Sequence, residues 1–125
     1  MLDPVISEEQ AAAFARDWFD AWNRHDLEAI LAHYDENVVF RSPFVAKLAG
    51  EPSGTLRGRT RLRAYFAEAL RKYPDLHFSD LRVHAGVSSV ALTYRSVAGL
   101  DAAEVMTLDA AGRVVAVDAH YAKEA

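Results

Sequence analysis

The stretch "DENVVFRSPF", residues 35–44, sits where the character of the chain changes. It reads as a short strand that stops at Pro43. Successive side chains of a strand point to opposite faces, so Val38, Phe40 and Ser42 share one face and Val39 and Arg41 the other. Apolar side chains followed by a hydroxyl would then point into the protein. The segments before this strand have helical spacing and those after residue 76 have strand spacing. The role of Ser42 at the inner end of the strand bears directly on what the protein can do.

Upstream, "SEEQ" (7–10) has the form of a capping box, with Ser7 as N-cap and Gln10 reaching back. A helix is expected from there to about Asn23, with Ala11, Phe14, Ala15, Trp18 and Trp22 as its apolar stripe. Asp26 can cap a second, short helix that turns Leu27, Ile30, Leu31 and Tyr34 inward. Downstream, residues 44–57 contain Gly50, Pro52, Ser53 and Gly54 and read as a long loop, of the kind that forms lids or binding edges. A third helix is expected from about Arg59 to Tyr73, with Leu62, Tyr65, Phe66, Ala69, Leu70 and Tyr73 at helical spacing and Pro74 as its stop. Strands are expected at 76–85, 89–98, 102–109 and 113–122, joined by close turns into an antiparallel meander. Helices first and an antiparallel sheet afterwards give the α+β class, with helices on one face.

The 125 residues fit a single domain, 1–125, with a real core. A net charge of −4 argues against nucleic acid as a partner. No cysteine is present, which removes disulfides, thiolate nucleophiles and zinc–thiolate sites. "MLDPVISEEQ" lacks the basic end and apolar run of a secretory leader, and no stretch approaches a membrane span of about 20 apolar residues. A cytoplasmic protein with no membrane partner is the expectation. Five histidines without HxH or HxxxH spacing give no metal signal. No phosphate-binding glycine motif or GxSxG elbow occurs, and no cofactor is expected.

The candidate chemistry lies on the inward face of the sheet. In "AAEVMTLD" (102–109), Ala102, Glu104, Met106 and Leu108 share a face, so Glu104 stands in line with apolar neighbours. A carboxyl there loses hydration, its pKa rises, and it can deliver a proton. The alternative is a strand-end carboxylate that is solvated or paired with an arginine. Tyr34, Tyr65, Tyr94 and Tyr121 all fall on inward faces and offer ring area plus a hydroxyl, which suits a ligand wall or ordinary packing. His84, Asp118 and His120 alternate against apolar neighbours and are expected on the outer face, with Val97, Val105 and Ala116. Such an apolar outer face is a candidate two-fold interface, and a homodimer is expected. The basic run Arg57, Arg59, Arg61 and Arg63 reads as a solvated helix start.

The segments "WFDAWNRHDLEAILAHYDENVVFRSPF", "LRGRTRLRAYF" and "EVMTLDAAGRVVAVDAHY" together resemble the nuclear transport factor 2-like superfamily, which includes the SnoaL-like polyketide cyclases and the ketosteroid isomerases. The resemblance spans about residues 8–122. It implies a cone-shaped α+β barrel, three N-terminal helices on a curved, mainly antiparallel sheet, a deep apolar pocket and frequent dimerisation. It says little about the reaction, because this fold hosts isomerases, cyclases, dehydratases, epoxide hydrolases and binders.

By that resemblance, Ser42 stands where the isomerases place their carboxylate base. Trp18 replaces their oxyanion-binding tyrosine. Tyr34 keeps one supporting tyrosine, and Phe66 replaces another. Glu104 matches the acid that an apolar site keeps neutral in those enzymes. Serine cannot abstract a carbon-bound proton unaided, so steroid isomerisation is not expected. The Arg-x-Asp pair of the epoxide hydrolases is missing from the strand region. The sequence therefore predicts a pocket for a compact hydrophobic or aromatic molecule, lined by Trp18, Tyr34, Phe40, Ser42, Phe44, Tyr65, Phe66, Tyr94, Glu104, Met106 and Tyr121. Its chemistry would be cofactor-free acid/base work with Glu104 as acid. The alternative is a binding or accessory domain without turnover.

Overall fold

The computed structural model describes residues 6–123. The reading of the first five residues as no part of a leader lies outside them. Helix α1 (Glu8–Asn23) begins at a complete capping box, in which Ser7 Oγ accepts from Gln10 N and Ser7 N donates to the Gln10 side chain, both at 3.0 Å. Helix α2 (Leu27–Leu31) is capped by Asp26, as its sequence predicts. Strand β1 (Tyr34–Arg41) starts earlier than the sequence suggests. Tyr34 belongs to the strand and not to α2, yet its side chain is fully buried.

The segment 44–57 is not the long loop its glycines and prolines imply. Helix α3 (Pro43–Leu48) and strand β2 (Thr55–Arg57) occupy most of it. Ser42 is the N-cap of α3: Phe44 N donates to Ser42 Oγ at 3.2 Å, and Pro43 takes the first helical position, where no N–H is needed. Among the described residues there are thus four α-helices where three were expected. The residue just before β2 comes close to the same serine, because Ser42 N donates to Gly54 O at 2.9 Å. A Cβ at position 54 would meet Ser42 O at 3.2 Å, and its φ of +69° is in the left-handed region, so glycine is needed there on both counts. Ser42→Ala should cost about 1 kcal/mol through loss of the cap, read as a drop in the urea midpoint. An unchanged midpoint would mean that α3 does not depend on the hydroxyl.

Helix α4 (Arg59–Lys72) follows Gly58, and strands β3 (Ser79–Ala85), β4 (Ser89–Arg95), β5 (Leu100–Leu108) and β6 (Val114–Lys123) complete the chain. The six strands form one curved, unclosed sheet in the order β2-β1-β6-β5-β4-β3. The meander from β3 to β6 is antiparallel, as the turns predict, while β1 and β6 run parallel. The helices cover one face. Ala11, Ala15, Trp18 and Trp22 of α1 and Leu62 and Phe66 of α4 are buried in one core with Val90, Leu92, Met106 and Val117 of the sheet. In the arginine run at the start of α4, Arg57, Arg61 and Arg63 are exposed, as a solvated helix start requires, while Arg59 donates to Tyr34 O at 3.2 Å and Arg63 to Glu28 Oε1 at 2.9 Å.

His84, Asp118 and His120 are exposed, and Val105 is 41% exposed, as strand alternation requires. Val97 departs from that pattern. It lies in a single helical turn, Val97–Gly99, between β4 and β5, and packs against the core instead of the outer face. Among the described residues no helix is long and apolar enough to cross a membrane.

Candidate functional site

Between α1, α4 and the concave face of the sheet lies a cavity with about 60 Å³ of free space. At roughly 10–15 Å³ per water, that is room for about four to six waters. Trp18 and Trp22 from α1, Tyr65, Phe66, Ala69 and Tyr73 from α4 or its end, and Phe40, Tyr94, Glu104 and Tyr121 from the sheet border it. Tyr34 and Phe44 complete the inner wall, and Leu48, Leu76, Phe78, Ser96 and Val97 also contribute.

Two residues expected in the wall are absent from it. Met106 shares the inward face with Glu104 but is fully buried beneath the helices. Ser42 is buried at 4% exposure and borders a surface groove with Arg41, Pro43 and Asp118 instead. Trp22, Tyr73, Leu76 and Phe78 are wall residues that the sequence reading did not name as such. The signal for Trp22 was its place four residues after Trp18 on the same stripe.

The wall is aromatic nearly throughout. Trp18 stacks on Phe78 with centroids 6.0 Å apart and meets Tyr94 edge-on at 5.4 Å. Phe44 meets Tyr121 edge-on at 4.7 Å, and Phe40 meets Phe66 at 5.5 Å and 90°. Offset and edge-to-face contacts of this kind hold rings in fixed places and so fix the shape of the space between them.

Within this apolar wall Glu104 is 4% exposed. The β4–β5 register sets Leu92 opposite Glu104 and Tyr94 opposite Ala102, so Tyr94 is the diagonal neighbour of Glu104 on the inner face. The Tyr94 hydroxyl donates to Glu104 Oε2. No described residue donates to Oε1. Burial pushes the Glu104 carboxyl up to about 7, with the Tyr94 hydrogen bond pulling the other way. Near neutral pH it is then part protonated, and so able to give a proton or take one.

The other hydroxyls are held in their neutral form. Burial, followed by the nearby Glu104 charge, raises Tyr34 and Tyr94 well above the ordinary tyrosine range. Burial likewise raises Tyr121, and pushes Tyr65 up to about 12, with the Ser42 hydroxyl drawing both back. These groups act as donors or acceptors and not as phenolates. Trp18 Nε1 donates to the Tyr34 hydroxyl oxygen at 2.9 Å, so the indole orients Tyr34. Among the described residues, no group of three or more His, Asp or Glu side chains could hold a metal ion.

The SnoaL-like domain family matches residues 15–124. A SnoaL-like protein of unknown function from Burkholderia thailandensis superimposes with a TM-score of 0.91 at 49% identity, over 94% of this chain and 98% of that one. A candidate ketosteroid isomerase from Kribbella flavida gives a TM-score of 0.72 at 23% identity, over 94% and 81% of the two chains. A protein of unknown function with a cystatin-like fold from Methylobium petroleophilum gives 0.74 at 21% identity, over 98% and 82%. The latter two similarities speak to the fold alone. No curated protein matches the chain.

Proposed function

The chain belongs to the SnoaL-like domain family, and from that premise we propose that it binds a compact hydrophobic molecule carrying an oxygen and rearranges it by acid/base chemistry. The carrying observation is Glu104: one buried carboxyl in an aromatic cavity, fixed by Tyr94 and with its second oxygen left unbonded by the described residues. A carboxyl of that kind exchanges a proton with a bound ligand more readily than a solvated one, because its two protonation states are close in free energy near neutral pH. The reaction classes that fit are isomerisation, cyclisation and dehydration, each of which moves protons without needing a cofactor.

Steroid isomerisation is not the reaction proposed. Ser42, at the position the resemblance gives to the base, caps α3 with its hydroxyl oxygen and lies beside the Tyr65 and Tyr121 hydroxyls, and a serine does not abstract a carbon-bound proton unaided. The same capping role favours a second reading, a binding domain without turnover.

The proposal extends to a homodimer formed through the outer sheet face, where Val105 is the exposed apolar side chain, and to a cytoplasmic setting. Native mass spectrometry of gently purified protein addresses ligand and assembly together. The expected species is a dimer with a small organic molecule in each subunit. A bare monomer at micromolar concentration would remove the dimer and count against a resident ligand. Turnover is then read by incubating the released molecule with protein in deuterated buffer. Deuterium should enter at carbon with the wild type and not with Glu104→Gln. Incorporation with neither would leave the binding-domain reading.

A further inference from the structure

Asn23 is the last residue of α1 and is half-buried. Its side chain grips both backbone groups of Phe78: Phe78 N donates to Asn23 Oδ1 at 2.7 Å, and Asn23 Nδ2 donates to Phe78 O at 3.0 Å. Phe78 stands one residue before β3, and no described backbone group pairs with it. A buried residue must satisfy its N–H and C=O somewhere, and here one amide side chain serves both. The neighbouring His25 Nε2 donates to Leu76 O at 2.8 Å, so the wall segment Leu76–Phe78 hangs from the end of α1. The Phe78 ring held in this way is buried, borders the cavity and packs on Tyr94 with centroids 4.6 Å apart. Tyr94 in turn donates to Glu104 Oε2.

We propose that Asn23 is a positioning residue for the site: it fixes Phe78, Phe78 sets the Tyr94 ring, and the ring aims its hydroxyl at Glu104. This rests on the reading of Glu104 as the group that exchanges protons with a ligand. Asn23 does not border the cavity, so it touches no ligand and acts only through these contacts. Without the amide, the Phe78 backbone would be left with two unpaired polar groups, and it would shift toward water to satisfy them. A close-packed interior transmits such a shift to the rings it touches. A hydrogen bond weakens steeply as its angle is lost, so the Tyr94 donor would loosen and the carboxylate would lose a bond that favours its charged form. The titratable groups facing Glu104 are the hydroxyls of Tyr34 on β1, Tyr65 on α4, Tyr94 on β4 and Tyr121 on β6, all held neutral. Asn23 and Phe78 carry no charge either, so removing the amide changes geometry and not charge.

The test follows the Glu104 carboxyl by ¹³C NMR titration of the full-length protein, as a double-mutant cycle with Tyr94. Tyr94→Phe, which removes the donor, should raise the Glu104 midpoint by about one pH unit, the worth of one hydrogen bond to a charged group. Asn23→Ala should raise it by about half as much or more, and adding Asn23→Ala to Tyr94→Phe should raise it no further. Ser7→Ala, which removes the cap at the other end of α1, should lower stability and leave the midpoint in place. The proposal is overturned if Asn23→Ala leaves the midpoint unmoved, if the two shifts add in the double variant, or if Ser7→Ala gives the same shift. A wild-type midpoint near the ordinary 4.5 would sink the acid/base reading instead, and the shifts would still decide for or against Asn23. Should Asn23→Ala not fold, Asn23→Gln, which sets the same amide one methylene further out, takes its place in the cycle with the same outcomes.

Discussion

Glu104→Gln should make the protein about 3 kcal/mol more stable than the wild type at pH 8 and leave the two within about 1 kcal/mol at pH 4.5. The folded protein holds the Glu104 proton up to about pH 7, whereas the unfolded chain releases it near the ordinary value of 4.5. Between those pH values the folded state binds more protons than the unfolded state, so stability falls as pH rises. What the protonated carboxyl contributes is fully present below about 4.5 and is lost as pH passes through about 7. At about 1.4 kcal/mol per pH unit, that interval gives the 3 kcal/mol. Glutamine keeps the shape and an oxygen for Tyr94 but carries no charge to bury. All other titrating groups are common to both proteins and cancel in the comparison. Urea unfolding at the two pH values measures it. Parallel pH profiles would mean that the carboxyl is hydrated in the fold, and the acid/base role would fall with it.

Phe66→Ala should remove about 3–5 kcal/mol of stability, as for other buried aromatic rings cut back to alanine. Phe66 is 3% exposed and meets the rings of Trp22, Tyr34, Phe40 and Tyr65 at centroid distances of 4.8–5.8 Å. Through it α4 packs on both α1 and β1. The neighbouring rings are wedged against one another and cannot collapse into the gap. The truncation should therefore leave an open cavity, much larger than the present one, that admits benzene. Denaturant unfolding should show a lower midpoint at unchanged slope. A loss below about 1 kcal/mol would mean that this face of α4 carries little of the packing.

Much of this architecture is written in short-range signals. The capping box at Ser7, the Asp26 cap, the helical spacing of Leu62 and Phe66, and the turns of the meander each involve residues a few positions apart, and each forms as its sequence indicates. Helix α3 had a signal too, since serine followed by proline is a helix start. At six residues it is too short to show a stripe, and the Pro and Gly beyond it weighed more in the reading. The parallel pairing of β1 with β6 has no local signature at all.

In the wall, the alternation of β5 correctly turned Glu104 inward. Alternation gives a face and not a depth, which is why Met106 shares the face without reaching the cavity. Ser42 likewise has the predicted direction but sits past the end of the space. The Tyr94–Glu104 bond could not be read from either strand alone, because it depends on the register between them.

The pairing of β1 with β6 also shapes how the chain reaches its fold. Tyr34 faces Val114, and 114 − 34 = 80 positions separate them. Closing a loop of that length costs about 2–3 kcal/mol more in chain entropy than closing a four-residue hairpin turn. Until β6 exists, β1 has only the three residues of β2 beside it. The hairpins of the meander need no such closure and are the cheaper part of the sheet to begin. On a ribosome, the strand that opens the sheet therefore waits for nearly the whole chain to be made, and its row of unpaired backbone groups is what a nascent or truncated chain would leave exposed.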